Sequence, residues 1–263
     1  MNSSVNPPVV MAISGADPTG GAGIQADIET IASLGCHAAP IISSVTAQNT
    51  TNVIDIAQIN EHFVIEQARV VLEDMNVAAV KIGLVESDTI AMAIHSLLTD
   101  YNHIPVVLDP IIISGGGKLL ANEDAVDAIN TLLVPLATIV TPNSEEARTL
   151  APEGDTLTAC AMALLERGAH YVLVTGTHEN TKQVCNTLYG NNRKLDSHNW
   201  ERLPDQFHGS GCTLSSAIAA NLARGQDVVS ATHQAQEYTW NSLQTAHTLG
   251  KGQKIPNRFH WLK

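Results

Sequence analysis

Residues Pro8–Asp27, "PVVMAISGADPTGGAGIQAD", decide the fold class. The apolar run Pro8–Gly15 reads as a buried strand, too short for a helix and rich in β-branched and small residues. A glycine-rich loop follows, and apolar spacing then predicts a helix near residues 24–34. The same strand–loop–helix unit recurs along the chain. "APIISSVTAQ" (39–48) reads as a strand, "VIEQARVVLEDM" (64–75) as a helix and "AAVKIGL" (78–84) as a strand. "DTIAMAIHSLLTDY" (88–101) is a helix leading to "IPVVLDP", a strand ending in Asp109. "EDAVDAINTLLVPL" (123–136) and "ATIVTPN" (137–143) repeat the pair, as do "ACAMALLERG" (159–168) and "YVLVTG" (171–176). The helix starting within "HGSGCTLSSAIAA" (208–220) is expected to be the last regular element. This alternation predicts an α/β fold with a mostly parallel central sheet and helices on both faces. No linker or repeat interrupts it, so one domain spanning 1–263 is expected, with residues 1–8 as a flexible N-terminus.

Composition narrows the function. The 263 residues carry 14 Lys+Arg against 26 Asp+Glu, a formal net charge of -12. That excess disfavours nonspecific binding to nucleic acid or an anionic membrane. Any phosphate site must then be built locally, from backbone N–H groups, helix ends and metal. The four cysteines are scattered with no C-x-x-C pair, which indicates neither a zinc site nor a disulfide framework. The first residues lack a signal-peptide pattern and no apolar run is long enough to span a bilayer, so a cytoplasmic protein is expected.

In open α/β sheets ligands bind beyond the carboxyl ends of the strands. Asp17, Gln48, Asp109, Asn143 and Thr175 all follow strand-like runs. In "HGSGC", Gly209, Ser210, Gly211 and Cys212 run into a helix start, where successive N–H groups can cradle an anion. Read alone, the motif is equally a packing turn with Cys212 as a small buried hydrophobe. The loop "SGADPTGGAGIQAD" is neither a P-loop nor a G-x-G-x-x-G fingerprint. The Gln48 amide offers a donor beside an acceptor, a match for an aminopyrimidine edge. A strand-end carboxylate beside phosphates commonly holds Mg²⁺ through waters, which nominates Asp109 and Glu146. As isolated residues they are equally a turn former and a first-turn helix acid.

Together "DPTGGAGIQAD", "TAQNT", "KIGL", "VLDP", "TPNSEEA" and "HGSGCTLSSAIAA" resemble, in order and over nearly the whole chain, the hydroxymethylpyrimidine/phosphomethylpyrimidine kinases of thiamine biosynthesis, in the ribokinase-like superfamily. The resemblance implies Mg-ATP as phosphoryl donor, two successive phosphorylations of 4-amino-5-hydroxymethyl-2-methylpyrimidine, and a homodimer. It places Gly15, Asp27 and Gln48 at the pyrimidine, with Thr46 and Leu84 as nearby walls. Asn143, Thr175 and His178 fall at the nucleotide, and Asp109 and Glu146 at the metal. Gly209 to Cys212 match the anion hole, with Cys212 as proposed base. Members usually read Lys-Gly-Gly-His where this chain has Thr175-Gly176-Thr177-His178, often carry Met at 84 and Val at 46, and differ between His178 and Gly209. Sugar kinases of the superfamily have Asp where Cys212 stands.

A thiol at a helix N-terminus is expected to have a lowered pKa and to serve as base for the alcohol. The second nucleophile, a phosphate monoester, is already anionic. A fixed carboxylate would repel it by ~1–4 kcal/mol at close range, whereas a neutral thiol admits it. Two other readings stay open at this point: a pyridoxal kinase of the same fold, and a pyrimidine-binding protein whose kinase activity has decayed.

Overall fold

The computed structural model describes residues 6–113, 115 and 117–262. Residues 1–5 of the expected flexible N-terminus lie outside the described residues, while the Pro8 carbonyl accepts a bond from His37 N at 2.8 Å. The strands are β1 (Val9–Ala16), β2 (His37–Gln48), β3 (Val53–Gln58), β4 (Val77–Ile82), β5 (Val106–Leu108), β6 (Ile139–Val140), β7 (Tyr171–Val174), β8 (Gln183–Gly190) and β9 (Arg193–Glu201). They form one sheet in the order β3-β2-β1-β4-β5-β6-β7-β8-β9. The run from β2 to β7 is parallel. β3 adds antiparallel at one edge and the β8–β9 hairpin at the other.

The helices are α1 (Gly23–Ser33), α2 (Glu61–Asp74), α3 (Asp88–Asp100), α4 (Glu123–Ala128), α5 (Ser144–Leu150), α6 (Leu157–Glu166), α7 (Ser210–Ala223) and α8 (Val228–Gln244). They cover both faces because the inner strands are apolar on both sides. Along β1, Met11 and Ile13 pack into the core beneath α2–α6, while Val10 and Ala12 pack beneath α1, α7 and α8. That alternation is the two-residue period of a strand.

Several expectations need correction. The helix predicted over 123–136 is α4, followed by a π-helical turn at Ile129–Leu133 and a 3₁₀ turn at Val134–Leu136. Pro135 there lacks the N–H that a regular helix needs. The last regular element is α8, not α7. Gly225 (φ +82) closes α7: Gly225 N donates to Leu222 O and Gln226 N to Asn221 O, turning the chain into α8.

Candidate active site

Two glycine loops meet at the carboxyl ends of the central strands. Gly209, with φ +85, is the N-cap of α7, and a Cβ there would lie 1.9 Å from the Gly21 carbonyl oxygen. The start of α7 and the loop after β1 therefore touch backbone to backbone, which no L side chain permits. A Cβ on Gly211 would meet nothing closer than the Asp109 carboxylate at 3.8 Å, so its missing side chain leaves the helix start open. Ser210, Gly211 and Cys212, whose N–H groups precede the first intrahelical bond of α7, line this space.

The loops are held from behind. Asp17 is fully buried; its Oδ2 accepts from Ala22 N and lies 2.8 Å from His208 Nε2. Burial pushes the Asp17 carboxyl up, but the bonds from His208, Thr19 and Ala22 outweigh it and hold it below the ordinary range. Arg258, also buried, donates to the carbonyls of Gly20 and Gly21 and, through Nε, to Thr213 Oγ1 at 3.1 Å. Arg258 thus clamps both loops.

Beneath the helix start lies a buried ionic cluster. Lys81 Nζ donates to both Asp27 oxygens at 2.8 and 3.0 Å, and Ser216 Oγ donates to Asp27 Oδ1 at 2.7 Å. Burial alone would lower the Lys81 ammonium, yet Asp27 and its neighbours raise it, so the lysine is charged. Ser215 Oγ donates to Asp109 Oδ2 at 3.0 Å. Burial pushes Asp109 up, opposed by Lys81 and Ser215. Glu146 caps its own helix start, accepting from Asn143 N while Asn143 Oδ1 accepts from Glu146 N. Burial, reinforced by the charge on Asp109, pushes Glu146 up to about 8.

The expected activation of the thiol is overturned. Cys212 is 5% exposed. Burial, joined by the charges of Asp109 and Asp27 and only partly countered by Lys81, pushes it up to about 12. Desolvation of the sulfur is the largest of these causes and favours the neutral thiol.

One cavity of about 730 Å³ connects these parts. Its wall includes Gly15, Thr46, Gln48, Leu84, Asp109, Asn143, Glu146, Thr175, His178 and the turn Gly209–Cys212. Asp27 alone among the residues nominated from sequence lies off the wall, because both its oxygens are spent on Lys81 and Ser216 inside the protein. At one end Gln48 Nε2 donates to Thr46 Oγ1 at 2.8 Å, and Thr46 donates to the Ala16 carbonyl at 2.9 Å, which orients the amide. At the other end Thr175 continues β7 through a bridge to Asn143, and Arg202, Trp200 and Trp240 join the wall.

Sequence reasoning missed Lys81, Arg258, His208 and Arg202. Lys81 carried a usable signal: a lone ammonium inside an otherwise apolar strand requires a buried acid as partner. Nothing local marks the other three.

Among the described residues no group of three or more His, Cys, Asp or Glu is placed to hold a metal by itself. Asp109 and Glu146 nevertheless fit Mg²⁺ bound jointly with phosphate. They are two buried carboxyls on one cavity wall, each raised chiefly by burial, and Mg²⁺ takes one or two protein carboxylates plus substrate oxygens and waters.

Known proteins share both the sequence and this architecture. A family model described as phosphomethylpyrimidine kinase matches residues 17–257. The hydroxymethylpyrimidine/phosphomethylpyrimidine kinase of Rhizobium meliloti (strain 1021) is 36% identical over 265 residues, covering 97% of this chain and 98% of the relative. The crystal structure of a phosphomethylpyrimidine kinase from Clostridium difficile 630 aligns with a TM-score of 0.78 at 33% identity, over 88% of this chain and 97% of that one. An ADP complex of Bacillus subtilis pyridoxal kinase aligns with a TM-score of 0.88 at 25% identity, over 97% and 99%. The ribokinase-like fold is thus common to both kinds of vitamin kinase, while the family match spans the β1 loop, the anion cradle and everything between. On that match the chain is a phosphotransferase and belongs to the phosphomethylpyrimidine kinase family.

Proposed function

We propose that the chain, acting as one kinase domain over residues 1–263, phosphorylates 4-amino-5-hydroxymethyl-2-methylpyrimidine with ATP. It then phosphorylates the monophosphate to the diphosphate, for thiamine diphosphate biosynthesis. The observation that carries this reading is a single cavity joining the Gln48 amide to the α7 helix start. The relatives named hydroxymethylpyrimidine/phosphomethylpyrimidine kinase support it, and the ADP complex of the pyridoxal kinase supports ATP as donor.

Each residue has a definite task. Gln48 pairs with the aminopyrimidine edge, and Gly15, Thr46 and Leu84 wall the ring. The N–H groups of Ser210, Gly211 and Cys212 hold the oxygens of the transferred phosphoryl group. Asp109 and Glu146 would hold Mg²⁺, which when bound neutralises developing charge between phosphates. Asn143, Thr175 and His178 line the nucleotide end.

Phosphoryl transfer through a loose transition state needs positioning and neutralisation more than early proton removal. A neutral Cys212 therefore suffices at the first step and adds no repulsion against the monoester at the second. Asp27 acts from inside, fixing Lys81 under the helix start.

Incubation with Mg-ATP and the pyrimidine alcohol tests this function directly: monophosphate and then diphosphate should accumulate in that order. Faster ATP consumption with pyridoxal than with the pyrimidine would replace it with a pyridoxal kinase. Tight pyrimidine binding with no ATP turnover would replace it with a binding protein. A cytoplasmic location fits four unpaired cysteines, and among the described residues no helix is long and apolar enough to cross a membrane. The homodimer rests on the resemblance, and sedimentation equilibrium tests it.

A further inference from the structure

The charged side chains on the wall of the cavity that must accept a polyphosphate are mostly acids. Asp109, Glu145, Glu146, Glu201 and Asp205 face it, besides Asp17, which is matched to His208. Among the described residues, the wall carries a single Lys or Arg side chain, Arg202. Lys81 lies behind the wall and is committed to Asp27.

Arg202 is placed differently from Arg148, Arg167 and Arg258, each of which pairs with a carboxylate. Its guanidinium donates to backbone carbonyls of the loop after β7: Nη1 to Thr177 O at 2.7 Å, Nη2 to Glu179 O at 2.8 Å and Nε to Thr181 O at 3.0 Å. Nη2 also reaches Gly176 O at 3.5 Å, one residue beyond Thr175. The carboxylate of that loop, Glu179, is taken instead by Arg148 at 2.8 Å. Among the described residues no carboxylate lies within ion-pair distance of Arg202. Its hydrogen bonds are therefore satisfied by uncharged oxygens, with no carboxylate in direct contact. A half-buried guanidinium fixed on a cavity wall in this way is suited to an anionic ligand.

We propose that Arg202 is the nucleotide-phosphate cation of this enzyme. It moulds the loop Gly176–Thr181 around the donor nucleotide and supplies the fixed positive charge that the acidic wall otherwise lacks. The proposal rests on the kinase reading for the identity of the nucleotide. Thr175 and Arg202 both border the Gly176 carbonyl, so a charge introduced at either position acts on the same part of the cavity.

The test reads binding and turnover separately. Calorimetric Kd values for Mg-ATP and for the pyrimidine alcohol are measured on the wild type, R202K, R202Q and the double variant T175K/R202Q, each checked for wild-type-like melting. R202Q is expected to weaken Mg-ATP about tenfold or more, as for loss of a hydrogen bond to a charged group, with pyrimidine affinity within twofold. R202K should fall between the two, and T175K in the R202Q background should recover most of the loss. Raising salt should weaken Mg-ATP binding by the wild type more than by R202Q. Mg-ATP affinity unchanged in R202Q overturns the proposal. So does a loss that T175K leaves unrepaired, since Arg202 would then only shape the loop. Absence of pyrimidine phosphorylation with Mg-ATP binding still dependent on Arg202 would contradict the substrate assignment and leave this cation assignment standing.

Discussion

His208 Nε2 and Asp17 Oδ2 are 2.8 Å apart, although 191 residues separate them in the chain. The pair joins the loop after β1 to the turn that opens α7. With Arg258 bridging Gly21 and Thr213, it makes the two half-sites one rigid unit.

Asp17→Asn should loosen this unit and lower stability. The Asp17 pKa is depressed in the folded protein, so its stabilisation is present above its ordinary value of 3.8 and is lost as pH falls through the folded value. Thermal melts should therefore show the variant below the wild type at neutral pH. A loss of about 1–3 kcal/mol is expected for breaking a charge-assisted network, and the two curves should converge below about pH 4.

Glu146→Gln should act in the opposite sense. Its folded pKa, about 8, is raised above the ordinary 4.5. A carboxyl of that kind destabilises the fold progressively as pH rises from 4.5 through 8, because burial opposes the charged form. Without Mg²⁺, the variant should melt above the wild type at pH 8–9 and match it near pH 4. In turnover assays it should require more Mg²⁺, since a charged ligand is lost.

Gly209→Ala isolates the anion cradle. The positive φ and the approach to Gly21 O leave no room for a methyl group, so a backbone shift or strain of about 1–3 kcal/mol is expected. Phosphoryl transfer should fall at both steps while calorimetric affinity for the pyrimidine changes little, because the Gln48 amide is oriented by Thr46 on β2 rather than by the Gly209 turn.

The legibility of this architecture in the sequence followed the burial of each element. β1, β2, β4 and the helices α1, α2 and α3 were readable because their apolar periods are uninterrupted. β3 was not: "VIDIAQ" has no buried residue, so its pattern carries no core face. β8 and β9 form an edge hairpin in which β9, "RKLDSHNWE", is largely polar and has no fully buried residue. α8 buries Thr232, Gln236, Thr239 and Ser242 among its packing residues, and polar atoms satisfied within the fold look like solvent-facing ones in the sequence. The site was legible where glycine and strand-end acids mark it. It was illegible where long-range partners decide the chemistry, as when Asp27 is withdrawn by Lys81 or Cys212 is held neutral by burial.

Two successive phosphorylations in one cavity require a neutral side chain at position 212, and supplying Cys212→Asp with either the pyrimidine alcohol or its monophosphate tests that requirement. Cys212→Ala, which adds no charge, is the packing control. The aspartate variant should retain part of the first phosphorylation and lose most of the second, because a carboxylate would face the monoester in a confined cavity. The alanine variant should keep the second. Equal losses at both steps in both variants would contradict the account and leave Cys212 as a packing residue at the turn.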